Sequence, residues 1–193
     1  AHPTYPAKNL RELIDSAKGG TITFGSAGIG TGSYIQAQYL FRKIAKLQTI
    51  HVPFPGGAPA INALLGNHVP LIAITVSPAI AGINQGSIRG LAIASPERLP
   101  QVKSVPTYAE NGYPNYYASS WVGFFVPAKT PDDIVTKLNA SIGKILHEDA
   151  IRRRLEPFGV QFIHASPAQT SKFLDAEIKR WGEMVRALDL SID

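Results

Sequence analysis

The residues best suited to chemistry lie in one glycine-rich run, Gly25-Ser26-Ala27-Gly28-Ile29-Gly30-Thr31-Gly32-Ser33. The run follows a β-rich stretch and opens a helical pattern. At such a junction the unpaired N–H groups of the first helical turn attract an anion, and glycine lets a ligand approach the backbone closely. Gly28, Gly30 and Gly32 supply that access, and Ser26, Thr31 and Ser33 add hydroxyl donors. Two more small-residue loops follow, Pro55-Gly56-Gly57-Ala58-Pro59 and Thr75-Val76-Ser77-Pro78. Ligands of open parallel sheets bind at the carboxyl ends of the strands. Gly57, Ala58, Thr75 and Ser77 are therefore expected to join the glycine loop around a shallow polar pocket. The alternative for each loop taken alone is an ordinary strand-to-helix turn without a ligand.

Several familiar chemistries do not fit. A Walker-type phosphate loop needs Lys after its second glycine, and Thr31 stands there. The dinucleotide fingerprint needs a third glycine where Ser33 sits. A nucleophile elbow needs a residue between Gly25 and Ser26. With no cysteine, thiolate metal sites, disulfides and thiol nucleophiles are excluded. None of His2, His51, His68, His147 and His164 has metal-ligand spacing to another histidine or to clustered carboxylates. His51 lies inside a strand and reads as a structural histidine. Asp132-Asp133 and Glu148-Asp149 lie at helix starts, where capping explains them. The strand-end loops of the first three units carry no Asp, Glu, Lys or His, so general acid–base work has no agent there. The pattern favours binding over catalysis, with no catalytic residue, metal or cofactor.

The elements that position these loops alternate. Asn9 to Glu12 reads as a capping box, with Leu10, Leu13, Ile14 and Ala17 at helical spacing and Gly19-Gly20 as the stop. Strands are expected at Thr21–Phe24, Thr49–Phe54, Leu71–Val76 and Gly90–Ala94. Helices are expected from the glycine loop through Leu40 and Ile44, at Ala58–Leu65 and at Ala79–Ile83. Strands alternating with helices imply parallel pairing. Residues 95–118 read as an irregular connection. Beyond it, Trp121–Val126 and Val160–Ile163 have strand character. Thr130-Pro131-Asp132-Asp133 and Ser166-Pro167-Ala168-Gln169 are helix starts. The first helix carries a stripe of Ile134, Val135, Leu138, Ile142, Ile145 and Leu146. The last turns Phe173, Leu174, Ile178, Trp181, Val185 and Leu188 inward. This second part is too small to make its own sheet.

The 193 residues are 45% hydrophobic and 17% charged, with a net charge of +5, which describes a folded chain with a core. The one tight basic cluster, Arg152-Arg153-Arg154, lacks interleaved aromatics and reads as a solvated helix face, so no nucleic-acid partner is expected. No apolar run reaches the length of a membrane span. The start, Ala1-His2-Pro3-Thr4, reads as a mature or trimmed one without a signal peptide.

In order and spacing, several stretches resemble the Bug family, the periplasmic substrate-binding proteins of tripartite tricarboxylate transporters. They are Pro6 to Ile14, Phe24 to Ser33, His51-Val52-Pro53-Phe54 with Gly57-Ala58-Pro59-Ala60, and Arg89-Gly90-Leu91-Ala92. Later come Val105-Pro106-Thr107, Glu110 to Tyr113, Trp121 to Ala128 and Glu177 to Trp181. The resemblance implies an α/β fold with a parallel or mixed sheet flanked by helices: the second lobe of a two-domain, Venus-flytrap receptor plus part of the first. Residues 1–117 would be the ligand-binding lobe, 118–163 elements returning to the other, incomplete lobe, and 164–193 the C-terminal helix. It implies a small carboxylate ligand, held by Ser26 to Ser33 with Gly57, Ala58, Thr75 and Ser77, and membrane transporter subunits as partners. Family members usually carry a further upstream segment, so this chain is either a fragment or takes the missing elements from another chain, by self-association or swapping. Tyr34 replaces a common His, and Pro70 and Ile74 stand where the family often has Asp. The alternative reading is an α/β enzyme acting on a phosphate or nucleotide at the glycine loop.

Overall fold

Local signals start most elements of the first half. The computed structural model describes residues 1–114, 116 and 120–190. Helix α1 (Leu10–Ser16) begins at Asn9, whose side-chain oxygen accepts from the Glu12 N–H at 2.9 Å. The Glu12 carboxylate reaches back to the Asn9 amide and the Lys8 N–H. This is the reciprocal cap that the spacing predicts. Gly19, at φ 78°, turns the chain into β1 (Thr21–Ser26). Strands β2 (Gln48–Pro53) and β3 (Ile72–Ala73) flank β1, both parallel to it, in the order β2-β1-β3. Helix α2 (Gly32–Gln38), continued by a π-helical stretch Tyr39–Ile44, joins β1 to β2. Helix α3 (Gly57–Leu65) joins β2 to β3. A short 3₁₀ turn, Ser77–Ala79, then leads into α4 (Ile80–Asn84).

The sheet is held by apolar burial on its helix-covered faces. Ile22, Phe24, Leu40 and Leu64 are almost completely buried, and Phe24 meets Phe41 edge-on at 5.5 Å. Each such side chain contributes about 1.5–3 kcal/mol through burial. Leu64, Ala79 and Ile88 form a cluster with Ile61, Ile72, Ile74 and Ile83 around them. Ile74, one of the apolar replacements noted in the sequence, therefore serves the core. Gly25 is required by packing: a Cβ there would come within 2.8 Å of the Phe54 ring.

Two strand expectations are corrected here. The third strand is shorter than Leu71–Val76, since only Ile72–Ala73 pair with β1. Gly90–Ala94 forms no strand. Ile93 instead makes a single parallel bridge to Thr107, donating to the Pro106 carbonyl and accepting from Tyr108 N–H. Leu91 gives its carbonyl to Leu10 N–H. The backbone groups of this stretch are thus satisfied by a loop and by α1 rather than by a sheet edge. The connection after residue 95 buries Leu99, Val102 and Val105. Within it, Tyr116 stacks between Tyr39 and Tyr108 and donates to the Gln36 carbonyl at 2.6 Å.

The chain packs as two units, Ala1–Ser120 with Met184–Asp193, and Trp121–Glu183. The second unit carries α5 (Asp132–Leu146), α6 (Asp149–Leu155) and most of α7 (Pro167–Leu188). The α7 cap is as expected: Ser166 N–H donates to Gln169, whose own N–H donates to the Ser166 hydroxyl. The α5 cap is not. Pro131 takes the cap position, and the Thr130 hydroxyl donates to the Pro127 carbonyl instead. Glu177 organises this unit. Its carboxylate accepts from the indoles of Trp121 and Trp181 and from the Arg180 guanidinium. The Arg180 guanidinium beside Glu177 holds its carboxyl below the usual range, and the indole bonds act in the same direction.

Trp121–Val126 and Val160–Ile163 do not form strands. Among the described residues no neighbouring strand offers them a ladder. Several of their apolar side chains stand in solvent: Val122 is 95% exposed and Ile163 78%. Ile134, Leu138 and Ile145 on α5 are likewise exposed, as are Phe173 and Ile178 on α7, which were expected to face inward. We predict that Leu64→Ala, which empties a fully buried site, lowers unfolding stability by about 2–5 kcal/mol, measured by urea denaturation followed by circular dichroism.

Candidate functional site

Parallel pairing sends β1, β2 and β3 out of the same sheet edge, and the three small-residue loops follow there. Phe54 N–H donates to the Ser26 carbonyl at 3.0 Å, tying the second loop to the first. A Cβ on Gly28 would lie 3.5 Å from the Phe54 carbonyl, and one on Gly57 3.7 Å from the Pro78 ring. Ser26–Ser33, Gly57–Ala58 and Thr75–Ser77 therefore adjoin one another.

The glycine loop is held by Ser26. This serine is fully buried, and its hydroxyl accepts from Gly28 N–H at 3.2 Å and lies 3.3 Å from the Gly28 carbonyl. It also lies 2.7 Å from His51 Nε2. Gly28 and Gly30 take φ of 127° and 82°, values that disfavour any side chain. Thr31 then caps α2: its hydroxyl donates to the Gly28 carbonyl at 2.8 Å and accepts from Tyr34 N–H. The Ser33 hydroxyl lies 3.4 Å from that of Thr31.

Among the described residues, the N–H groups of Gly32 and Ser33 at the start of α2 have no partner in the chain. Gly57 and Ala58 leave their N–H groups unpaired at the start of α3, where Gly56 has no capping side chain. Gly28, Gly30, Thr31, Gly32, Ser33 and Gly57 are part-exposed, and Ala58, Thr75 and Ser77 are exposed. Thus nine of the ten expected residues reach the surface of this edge, and Ser26 lies beneath it.

His51 is the structural histidine that the sequence suggests, and its partners, which the sequence did not show, are Ser26, Phe24 and Tyr34. The register pairs it with Phe24, which puts its ring on the face shared by Phe24 and Ser26. Phe24 and Tyr34 pack against the ring at 5.1 and 4.4 Å. Only the register could have revealed this, because strand parity decides which face a side chain takes. Burial lowers the His51 pKa below its ordinary value and so favours the neutral ring. The Ser26–His51 distance suits a hydroxyl–base pair, but a fully buried Ser26 cannot meet a substrate. The pair is a support for the loop.

A concavity away from this edge, in the same unit, is lined by Asn9, Arg11, Arg98, Glu110 and Asn111 with Pro106. Asn9 caps α1, Asn111 bonds Arg11 N–H and the Thr107 carbonyl, and Glu110 takes a bidentate bond from Arg98. Arg98 and the Thr107 N–H hold the Glu110 carboxyl down at about 2. These groups serve one another. Among the described residues no cluster of three or more His, Asp or Glu could hold a metal, and no helix is long and apolar enough to cross a membrane.

The edge thus presents unpaired N–H donors at the starts of α2 and α3, the kind of geometry that attracts an anion. The family described as tripartite tricarboxylate transporter family receptor matches residues 1–190, and the chain belongs to it. BugT of Bordetella pertussis is 31% identical over 187 residues, covering 96% of this chain and 57% of its own length. MatC (Rpa3494) from Rhodopseudomonas palustris, solved with bound malate, is 30% identical with a TM-score of 0.77, over 96% of this chain and 64% of that one. R. palustris Rpa4515, solved with adipate, is 26% identical with a TM-score of 0.83, over 97% and 63%. The chain thus spans 57% to 64% of the length of these three proteins.

The lowered His51 pKa fixes the sign of a pH effect. The unfolded chain takes up a proton near pH 6.5 and the folded chain only below that. The His51 contribution is therefore complete above pH 6.5 and is lost as the pH falls through the folded value. Urea midpoints measured from pH 7.5 to 5 should fall more steeply for the native protein than for His51→Gln.

Proposed function

We propose that this chain is the carboxylate-capturing part of a periplasmic solute-binding receptor that delivers its ligand to the membrane subunits of a tripartite tricarboxylate-type transporter. The observation that carries this reading is the set of unpaired N–H groups at the starts of α2 and α3, on one sheet edge. The two helix dipoles add to their attraction for an anion. Gly28, Gly30, Thr31, Gly32, Ser33, Gly57, Ala58, Thr75 and Ser77 would supply the contact surface, in part through water. Ser26 would position the loop. Family membership and the relatives solved with malate and adipate support a carboxylate as the ligand. Binding needs oriented donors and no covalent step, so the protein is read as a binder without turnover.

On this reading residues 1–117 are the ligand-binding lobe, 118–163 are elements returning to the other, incomplete lobe, and 164–193 are the C-terminal part that carries α7. The exposed apolar side chains of 121–126, 160–163 and α5 are the surface on which that second lobe is completed. In this chain alone the same surface favours self-association.

A thermal-shift titration of the full-length protein with small carboxylates tests the proposal. At a hundred times its dissociation constant a ligand adds about 2.7 kcal/mol. At least one carboxylate should raise the melting temperature, and nucleotides should not. Gly28→Ala, placed at φ 127°, should keep the fold and weaken that carboxylate by about tenfold or more. No response to any carboxylate would refute the receptor reading.

A further inference from the structure

Three groups converge on one serine hydroxyl beneath the glycine loop. Gly28 N–H donates to the Ser26 oxygen at 3.2 Å, the Gly28 carbonyl lies 3.3 Å from it, and His51 Nε2 lies 2.7 Å from it. A serine hydroxyl has a single proton to give and accepts through its oxygen. Hydroxyl donation is good at roughly 2.5–3.0 Å and weakens beyond that. The Ser26 proton therefore goes to His51 whenever Nε2 is free to accept it. The oxygen then keeps its lone pairs for Gly28 N–H.

A protonated imidazole has N–H on both nitrogens and accepts from nothing. On taking up a proton from solvent, His51 must donate to the Ser26 oxygen. The hydroxyl proton is then turned toward the Gly28 carbonyl, which the Thr31 hydroxyl already occupies at 2.8 Å. The oxygen now serves two donors, and the bond from Gly28 N–H weakens.

The surroundings offer the added charge no counter-ion. Phe24 of β1 and Tyr34 of α2 face the ring at 5.1 and 4.4 Å, and the Tyr34 phenol is the titratable group among these contacts. Residues 19–41 and 47–88, which hold β1, α2 and β2, contain no Asp, Glu, Lys or Arg. The π-helical stretch that also packs on β2 carries Arg42 and Lys43, both exposed, and cations there oppose protonation. Burial acts in the same direction.

We propose that Ser26 and His51 form a pH-sensitive latch: protonation of His51 reverses their hydrogen bond, slackens the hold on Gly28 and loosens the glycine loop. His51 is then a positioning residue that acts on the loop through Ser26. The latch belongs to the fold and does not depend on the ligand proposed above.

The test is ¹H–¹⁵N spectroscopy with amide exchange on the full-length protein between pH 7.5 and 5. The His51 ring nitrogens should titrate with a midpoint below that of an exposed histidine. Protection of the Gly28 N–H against exchange should fall several-fold with that same midpoint. In Ser26→Ala the ring should still titrate, and Gly28 should no longer follow it. His51→Gln keeps a hydrogen-bonding side chain that cannot titrate, and should hold Gly28 protection level over the whole range. That second variant decides the matter if Ser26→Ala misfolds. The proposal is overturned if Gly28 protection in the native protein does not change across the His51 titration. It is equally overturned if Gly28 follows pH unchanged in either folded variant, or if His51 stays unprotonated until the chain unfolds. None of these outcomes bears on carboxylate capture, which the thermal-shift titration decides.

Discussion

Parallel pairing of β1 with β2 on one side and β3 on the other is the constraint on which the rest depends. It forces each strand to hand the chain to a loop and helix at the same edge. It also places the first turns of α2 and α3 side by side, with their N–H groups unpaired. Pairing alone would leave the glycine loop slack. Ser26 and His51 remove that slack: a buried hydroxyl under the loop holds Gly28, and a neutral imidazole on the neighbouring strand holds the hydroxyl. The Ser26 support is buried and the residues above it are exposed or part-exposed. Gly28 and Gly30 give the loop the positive φ angles its turn requires.

The same segregation appears in the charges. The sheet, its helices and its loops are free of formal charge from residue 47 to residue 88, while acids and bases crowd the connection and the second unit. Arg98 and Glu110 brace the connection, and Arg180 and Glu177 brace the second unit. Glu177 gathers two indoles that lie far apart in sequence, so a single carboxylate fixes where residue 121 meets α7. Ion pairs here hold the frame, and neutral dipoles are left to face the ligand edge.

Much of this was legible in the sequence because the signals are local. The Asn9–Glu12 and Ser166–Gln169 caps, the strand–loop–helix rhythm and the glycine loop each need only a few residues to declare themselves. What was not legible depended on partners. Gly90–Ala94 has strand composition, but its backbone is satisfied by Thr107 and α1. Trp121–Val126 and Val160–Ile163 are apolar enough for strands, yet a strand exists only beside another, and the described residues provide none. Phe173 and Ile178 follow helical spacing and still stand exposed, because periodicity marks an apolar face without saying what covers it. His51 needed the register, and Thr130 lost its cap position to the proline after it.

The most direct measurement of the central claim is a ¹H–¹⁵N correlation titration of the full-length protein with a small carboxylate that raises its melting temperature. The amides of Gly32, Ser33, Gly57 and Ala58 should move together and saturate at one dissociation constant, each shifted downfield as its N–H gains a carboxylate acceptor. Shifts confined to other parts of the chain, with these four amides unmoved at saturation, would contradict the assignment of the ligand edge.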